Sequence, residues 1–340
     1  MSITLAPQLR LASRENGRRD GELVLVSPDL SRCIAVPAIA HTLQEALDNW
    51  STVAPQLMQV AANGWSAAEP FKVSSCLAPL PRAYQWVDGS VYRHHAKLMY
   101  QWRNEPIPPQ YEEKPLVYQG GSDVMLKATA PIEATGDELD IDFEAEIAVI
   151  TTDVPIGVTP EQALDCIALV VLLNDVSLRR LIPGELARGF GFYQSKPATS
   201  FAPLAVTPAA LGANWRDAML HLPVRVNLNG KWFGAPDAGH DTAFNFGQLI
   251  AHLACTRALA AGTIVGAGTI SNADPASGSA CITEARVRQA LQGVDESRRQ
   301  PYLTQGDQVR IEVLDTNGHS VFGAIVQQVA ILQNNPQWPG

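Results

Sequence analysis

Between residues 144 and 332 the chain passes through a series of short apolar runs: EAEIAVI, CIALVVLLNDV, LPVRVNLNG, GTIVGAGTI, QVRIEVLD and SVFGAIVQQVAIL. Gly and Pro punctuate them, as expected of strands and turns. NLNGKWFG adds Asn229-Gly230, a two-residue hairpin signal flanked by strand-like residues. Helical periodicity is rarer, over TPEQALDCIAL, AFNFGQLIAHLACTRAL and TEARVRQALQG, and does not alternate regularly with the strands. That argues against a doubly wound parallel sheet. The expected class is α+β, mostly β: a mixed sheet, roll or sandwich, with a few covering helices.

Residues 1–75 read as a small α+β unit of their own, ahead of a larger unit over 76–340. GELVLVSPDL and CIAVPAIA read as short strands, and TLQEALDNWSTVAPQLMQVAANG carries helical periodicity. VSSCLAPLPRAY, rich in proline, reads as an exposed linker or entry segment.

The 340 residues are 46% hydrophobic and 17% charged, enough apolar material for a sizeable core and too little charge for disorder. A net charge of −9 argues against nucleic acid or an anionic membrane as a partner. No apolar run is long enough to span a bilayer, and no secretory h-region is visible at the start. Cys33, Cys76, Cys166, Cys255 and Cys281 are scattered and odd in number, which fits reduced thiols and a cytoplasmic location.

Within DFEAEIAVI, Glu144 and Glu146 stand two residues apart, so on a strand they share a face. The commoner fate of such glutamates is a solvated face. Here the neighbours are Phe143, Ala145 and IAVI, and two adjacent carboxylates need something positive between them. A hard divalent cation fits, and the pair supplies half of its oxygen ligands. Asp175 ends the apolar run VVLLNDV just before SLRR; Asn174 or Asp175 reads as a helix N-cap and Asp175 also as a further ligand, two roles that do not exclude each other. DGSVYRHHAK holds Asp88, His94 and His95, of which at most one histidine points into a given site. Lys196, in GFGFYQSKPATSFAP, needs an anionic partner if it is buried. Phosphate-loop, dinucleotide and GxSxG spacings are absent.

In order and spacing these segments resemble the fumarylacetoacetate hydrolase family over about residues 80–330. The resemblance implies that Glu144, Glu146 and Asp175, with Asp88 as fourth ligand, bind magnesium or calcium, with manganese a third candidate. It also implies His95 as general base and Glu284 of CITEAR as its orienting partner. Lys196 and Arg179 of NDVSLR become further catalytic groups. Tyr118 of PLVYQGG, Arg103, Gly268 and Thr269 become substrate contacts, Arg103 only with a one-residue shift. Ile182 stands where the family's hydrolases carry a glutamine, a donor that Gln194 is a candidate to replace. The hydroxyl near the metal is left between Thr199 and Ser200. The implied activity is hydrolysis of a carbon–carbon bond in a small-molecule 2,4-diketo acid or β-diketone, by a homodimer. A decarboxylase, isomerase or hydratase on the same metal, or a metal-binding scaffold without activity, is the alternative.

Overall fold

The computed structural model of the chain describes residues 8–66 and 68–332. Two mixed sheets and a few helices enclose one main apolar core. The larger sheet has eleven strands. Its centre is built from Ser200–Val206, Ile167–Asn174, Ala145–Thr151, Ile264–Gly266 and Trp86–Gly89, side by side in that order. All seven residues of Ala145–Thr151 are buried, because the strand is paired on both edges and covered on both faces. The second sheet orders Lys231–Gly234, Val224–Leu228, Gln308–Val313, Ile325–Ile331 and Ile132–Ala134.

The six apolar runs each contain a strand. Asn229 and Gly230 take φ of 51° and 74°, the doubly left-handed turn that an Asn-Gly hairpin requires. SVFGAIVQQVAIL supplies an inner strand, Ile325–Ile331, paired on both edges, with Ile325, Gln327 and Val329 buried and Gln328 exposed.

The first strand of the leading segment, Arg10–Arg14, pairs antiparallel with Ser200–Val206, so the large sheet runs on without a break into Glu22–Val26 and Arg32–Ala35. The helical stretch after them is split into Leu43–Asp48 and Trp50–Ala62 at Asn49, whose φ and ψ of −128° and 30° are not helical.

Three expectations need correction. VSSCLAPLPRAY is not an exposed linker: Cys76, Ala78 and Leu80 are buried, and the Ser13 hydroxyl donates to the Pro79 carbonyl at 2.6 Å. TPEQALDCIAL is helical only over Pro160–Ala163 and a following tight turn, after which its apolar half enters the central strand Ile167–Asn174. Asp175 caps no helix. Ser177–Leu178 pairs with Ile141–Asp142 instead, and the helix begins at Ile182. RHHAKLMYQW, which carries both histidines, is the helix Arg93–Trp102. Among the described residues no helix is long and apolar enough to cross a membrane.

Candidate active site

Strand pairing brings three acids together. Ala148 lies opposite Gly266, and Gly266 opposite Asp88. Opposed residues share a face, and Glu146 is on that face two residues from Ala148. Asp175 leaves the end of the next strand. One oxygen from each of Asp88, Glu146 and Asp175 lies within 4.8 Å of the other two, and all three residues are buried. Two glycines make room. A Cβ on Gly266 would lie 2.2 Å from Asp88 Oδ1, and one on Gly268 would lie 2.5 Å from the Gly89 carbonyl. Gly268, at φ +88°, turns its N–H onto Asp88 Oδ1 at 3.0 Å.

The electrostatics of the three acids differ. Asp175 accepts from Tyr118 Oη (2.6 Å), Lys196 Nζ (2.6 Å) and Thr199 Oγ1 (2.8 Å). No N–H or hydroxyl among the described residues donates to either oxygen of Glu146; its near neighbour is the Asp88 carboxyl, close enough to share a proton with it. Burial, and then the charges of Asp88, Asp175 and Glu144, push its pKa well above the carboxylate range. Burial followed by Asp175 does the same to Asp88. A buried carboxylate without a donor needs a proton or a cation. An all-oxygen, three-carboxylate set with one orphaned member fits a hard divalent cation.

Glu144 lies outside this trio. Its oxygens accept from Arg179 Nη2 at 2.6 Å and Lys196 Nζ at 2.5 Å. Burial alone would raise its pKa, but Arg179 and Lys196 reverse that and hold it well below normal. Lys196 is thus a positive group between acids in the sheet, bridging Glu144 and Asp175. Burial would lower its pKa, and Asp175 and Glu144 more than restore it.

His95 stands on Arg93–Trp102, with Nδ1 3.2 Å from Glu284 Oε2 on the facing helix Ile282–Leu291. Arg288 Nη2 holds the other Glu284 oxygen at 2.7 Å. Burial would raise the Glu284 pKa, but His95 and Arg288 bring it below normal, so the residue stays anionic. Helical geometry turns His94 about 100° away from His95. The His94 Nε2 atom is buried without a partner among the described residues, and burial and Arg288 lower the His94 pKa.

Other sequence-named residues fall variously. Tyr118 and Thr199 reach the acidic cluster through Asp175. Ser200 instead accepts from Gln327 Nε2 at 2.7 Å, and Thr269 is buried next to Gly268. Arg103, at the far end of the histidine helix, bonds Glu105 at 2.8 Å and covers the Tyr100 ring. Among the described residues nothing links it to the cluster. Gln194 is exposed, and Ile182 is only half-buried.

Two residues that support the site escaped the sequence reading. Asp142 accepts from Arg179 Nε (2.9 Å) and from the N–H groups of Ile282 (2.7 Å) and Thr283 (2.9 Å). It therefore ties the arginine to the first turn of the helix that carries Glu284. Its signal was its place in the same period-two row as Glu144 and Glu146. Asn174 accepts from the Glu144 N–H at 3.0 Å and donates to Gln327 Oε1 at 2.9 Å, a buried link between the two sheets.

Fold and site define an α+β protein with a buried three-carboxylate centre and a histidine–glutamate pair. Residues 85–330 match the sequence model for the fumarylacetoacetate (FAA) hydrolase C-terminal region, and residues 9–82 match fumarylacetoacetase N-terminal domain 2. The chain belongs to the fumarylacetoacetate hydrolase family. No curated protein matches the sequence significantly. Among solved structures, a fumarylacetoacetate hydrolase from Exiguobacterium antarcticum is 16% identical with a TM-score of 0.66, covering 96% of this chain and 100% of its own. A probable 2-hydroxyhepta-2,4-diene-1,7-dioate isomerase from Mycobacterium abscessus is 17% identical with a TM-score of 0.63, over 96% and 100%. A maleylpyruvate hydrolase from a Sphingobium strain, in complex with manganese(II) and pyruvate, is 15% identical with a TM-score of 0.61, over 95% and 100%. At these identities the likeness is one of fold.

Proposed function

We propose that the protein is a divalent-cation-dependent hydrolase of a 2,4-diketo acid or related β-diketone, of the fumarylacetoacetate or acylpyruvate type. The observation that carries this reading is the orphaned Glu146 carboxylate, clustered with Asp88 and Asp175 in a chain that also pairs His95 with Glu284. Asp88, Glu146 and Asp175 would hold magnesium or calcium, with Glu144 as the fourth acid of the set; manganese, present in the maleylpyruvate hydrolase structure, is a third candidate. Bound there, the ion supplies Lewis-acid stabilisation of the negative charge that develops as the carbon–carbon bond breaks.

The protein's own groups supply the rest. With Nδ1–H donated to Glu284, His95 presents Nε2 as the basic nitrogen, ready to take a proton from an attacking water. Glu284, kept anionic by its partners, fixes that tautomer and stabilises the imidazolium that follows. Lys196, Arg179 and Tyr118 are assigned to the substrate's oxyanion or carboxylate, with Gly268 and Thr269 as further substrate contacts. Arg103 keeps its substrate assignment only if its helix end moves. On an acidic chain, these local cations must dominate inside the cleft.

Ile182, in place of the glutamine of the family's hydrolases, is the feature that favours the second reading: isomerase, decarboxylase or hydratase chemistry without an activated water. The test is release of pyruvate from an acylpyruvate with Mg²⁺ and with a chelator. Mg²⁺-dependent release of pyruvate together with a second carboxylic acid supports hydrolysis; conversion without that cleavage supports the second reading; no conversion of any 2-oxo acid leaves a metal-binding scaffold. A homodimer, a cytoplasmic location and a unit boundary near residue 75 are part of the same proposal. A monomer mass by light scattering at micromolar concentration would remove the first of these.

A further inference from the structure

Glu185 belongs to the short helix Ile182–Arg188, but its carboxylate serves the chain beyond it. Oε1 accepts from the backbone N–H groups of Tyr193 (3.0 Å) and Gln194 (2.8 Å). Oε2 accepts from the Ser195 N–H (3.2 Å) and the Ser195 hydroxyl (2.5 Å). Four hydrogen bonds therefore converge from the three residues immediately before Lys196, and bonds to an ionised acceptor are the strong kind.

Little else holds this segment. The backbone turns at Gly189 and Gly191, with φ of 74° and 102°, and nothing lies within 4 Å of a Cβ added at either. Phe190 is fully exposed, and Tyr193 is 87% exposed. Sparse burial is the mark of a locally weak segment. On its inner side the Ser195 carbonyl accepts from the Leu178 N–H at 2.8 Å, and Phe192 stands edge-on to Tyr118 with ring centroids 5.3 Å apart. Beyond this pinned stretch, Lys196 Nζ lies between Glu144 Oε2 and Asp175 Oδ2. A lysine has a long flexible stem, so its backbone must be fixed if its ammonium is to stay in one place.

We propose that Glu185 is a positioning residue for Lys196. By pinning residues 193–195 it holds the ammonium between Glu144 and Asp175, and through that charge it sets how strongly the acidic cluster takes up a divalent cation. The second half rests on the metal-site reading above; the first does not. An ammonium and a dication compete for the same oxygens and repel each other at close range.

The experiment compares the parent with Glu185→Ala, Lys196→Ala and the double variant, each stripped of metal. Titration with Mg²⁺ should show tighter binding in Lys196→Ala, by about tenfold or more. Glu185→Ala should shift affinity the same way by a smaller factor, and should add less than about twofold in the Lys196→Ala background, as coupled neighbours do. In metal-free protein, acetylation of Lys196 followed by mass spectrometry should be slow in the parent, where the residue is 9% exposed, and severalfold faster in Glu185→Ala. Glu185→Gln, which keeps one acceptor oxygen, should fall between and serves if the alanine variant does not fold. Unchanged labelling of Lys196, or a Mg²⁺ effect of Glu185→Ala that persists in full without Lys196, overturns the proposal. If labelling rises as expected but no variant binds Mg²⁺, the positioning role stands and the metal reading falls.

Discussion

A carboxylate whose two oxygens are buried without a donor, as in Glu146, persists in a core only as the neutral acid or beside a cation. That makes metal and proton competitors, and the sign follows from the raised pKa values of Glu146 and Asp88. A carboxyl with a raised folded-state pKa adds stability below its unfolded value, about 4. The contribution is lost as pH rises through the folded value. Mg²⁺ replaces the proton, so the rise in melting temperature at fixed Mg²⁺ should be larger near pH 8 than near pH 5.5, by about several degrees. A shift that shrinks with pH would mean that the ion binds elsewhere. Glu146→Gln, which removes the charge and keeps the shape, should melt at least as high as the parent without metal and lose most of the Mg²⁺ response. The three acids and the histidine were legible in the sequence because each sits in a short pattern: a period-two row, a strand end, an Asp-to-His spacing. Asn174 was not, because its partner Gln327 lies 153 positions away. Glu185 has partners only 8 to 10 positions on, but no pattern marks them, and Asp142 stood in the period-two row with no sign of its partners on the helix Ile282–Leu291.

Among the elements, the link between Ile141–Asp142 and the helix Ile282–Leu291 matters most to the site. Asp142 caps that helix from 140 positions away and holds Arg179 at the same time. Asp142→Ala would leave Arg179 with Glu144 alone and free the Ile282 and Thr283 N–H groups of the turn that carries Glu284, which would keep only its Cys281 cap. We expect a loss of about 3 kcal/mol in denaturant unfolding, typical of breaking a buried charged bond network. The pH profile of turnover should change as well, since Glu284 loses its fixed register against His95. A loss under about 1 kcal/mol would show that the helix holds its register without the cap. Most strands were readable from their apolar runs. The helix Arg93–Trp102 was not, since polar residues dominate RHHAKLMYQW and only Ala96 and Leu98 of it are buried, and the prolines either side of Leu80 looked like a linker because composition does not reveal what covers a segment.

At the scale of the whole molecule, the pairing of Arg10–Arg14 with Ser200–Val206 makes the leading segment part of the central sheet. Leu11, Leu23, Leu25, Leu43 and Leu57 share a second apolar cluster with Ala148, Leu173 and Phe201. Removing residues 1–82 would uncover that cluster and an inner strand edge, and should give an aggregating protein. A soluble remainder that melts like the full chain would show that the edge needs no cover. The catalytic claim reaches across the same distances, since His95 and Glu284 are 189 positions apart and meet only in the folded chain. The most direct measurement is kcat for pyruvate release from an acylpyruvate at saturating Mg²⁺, for His95→Ala and His94→Ala alongside the parent. His95→Ala should lose about 10²–10⁴-fold while still binding Mg²⁺, and His94→Ala should stay within severalfold of the parent. Full activity in His95→Ala, or the larger loss in His94→Ala, would contradict the assignment of His95 as the base.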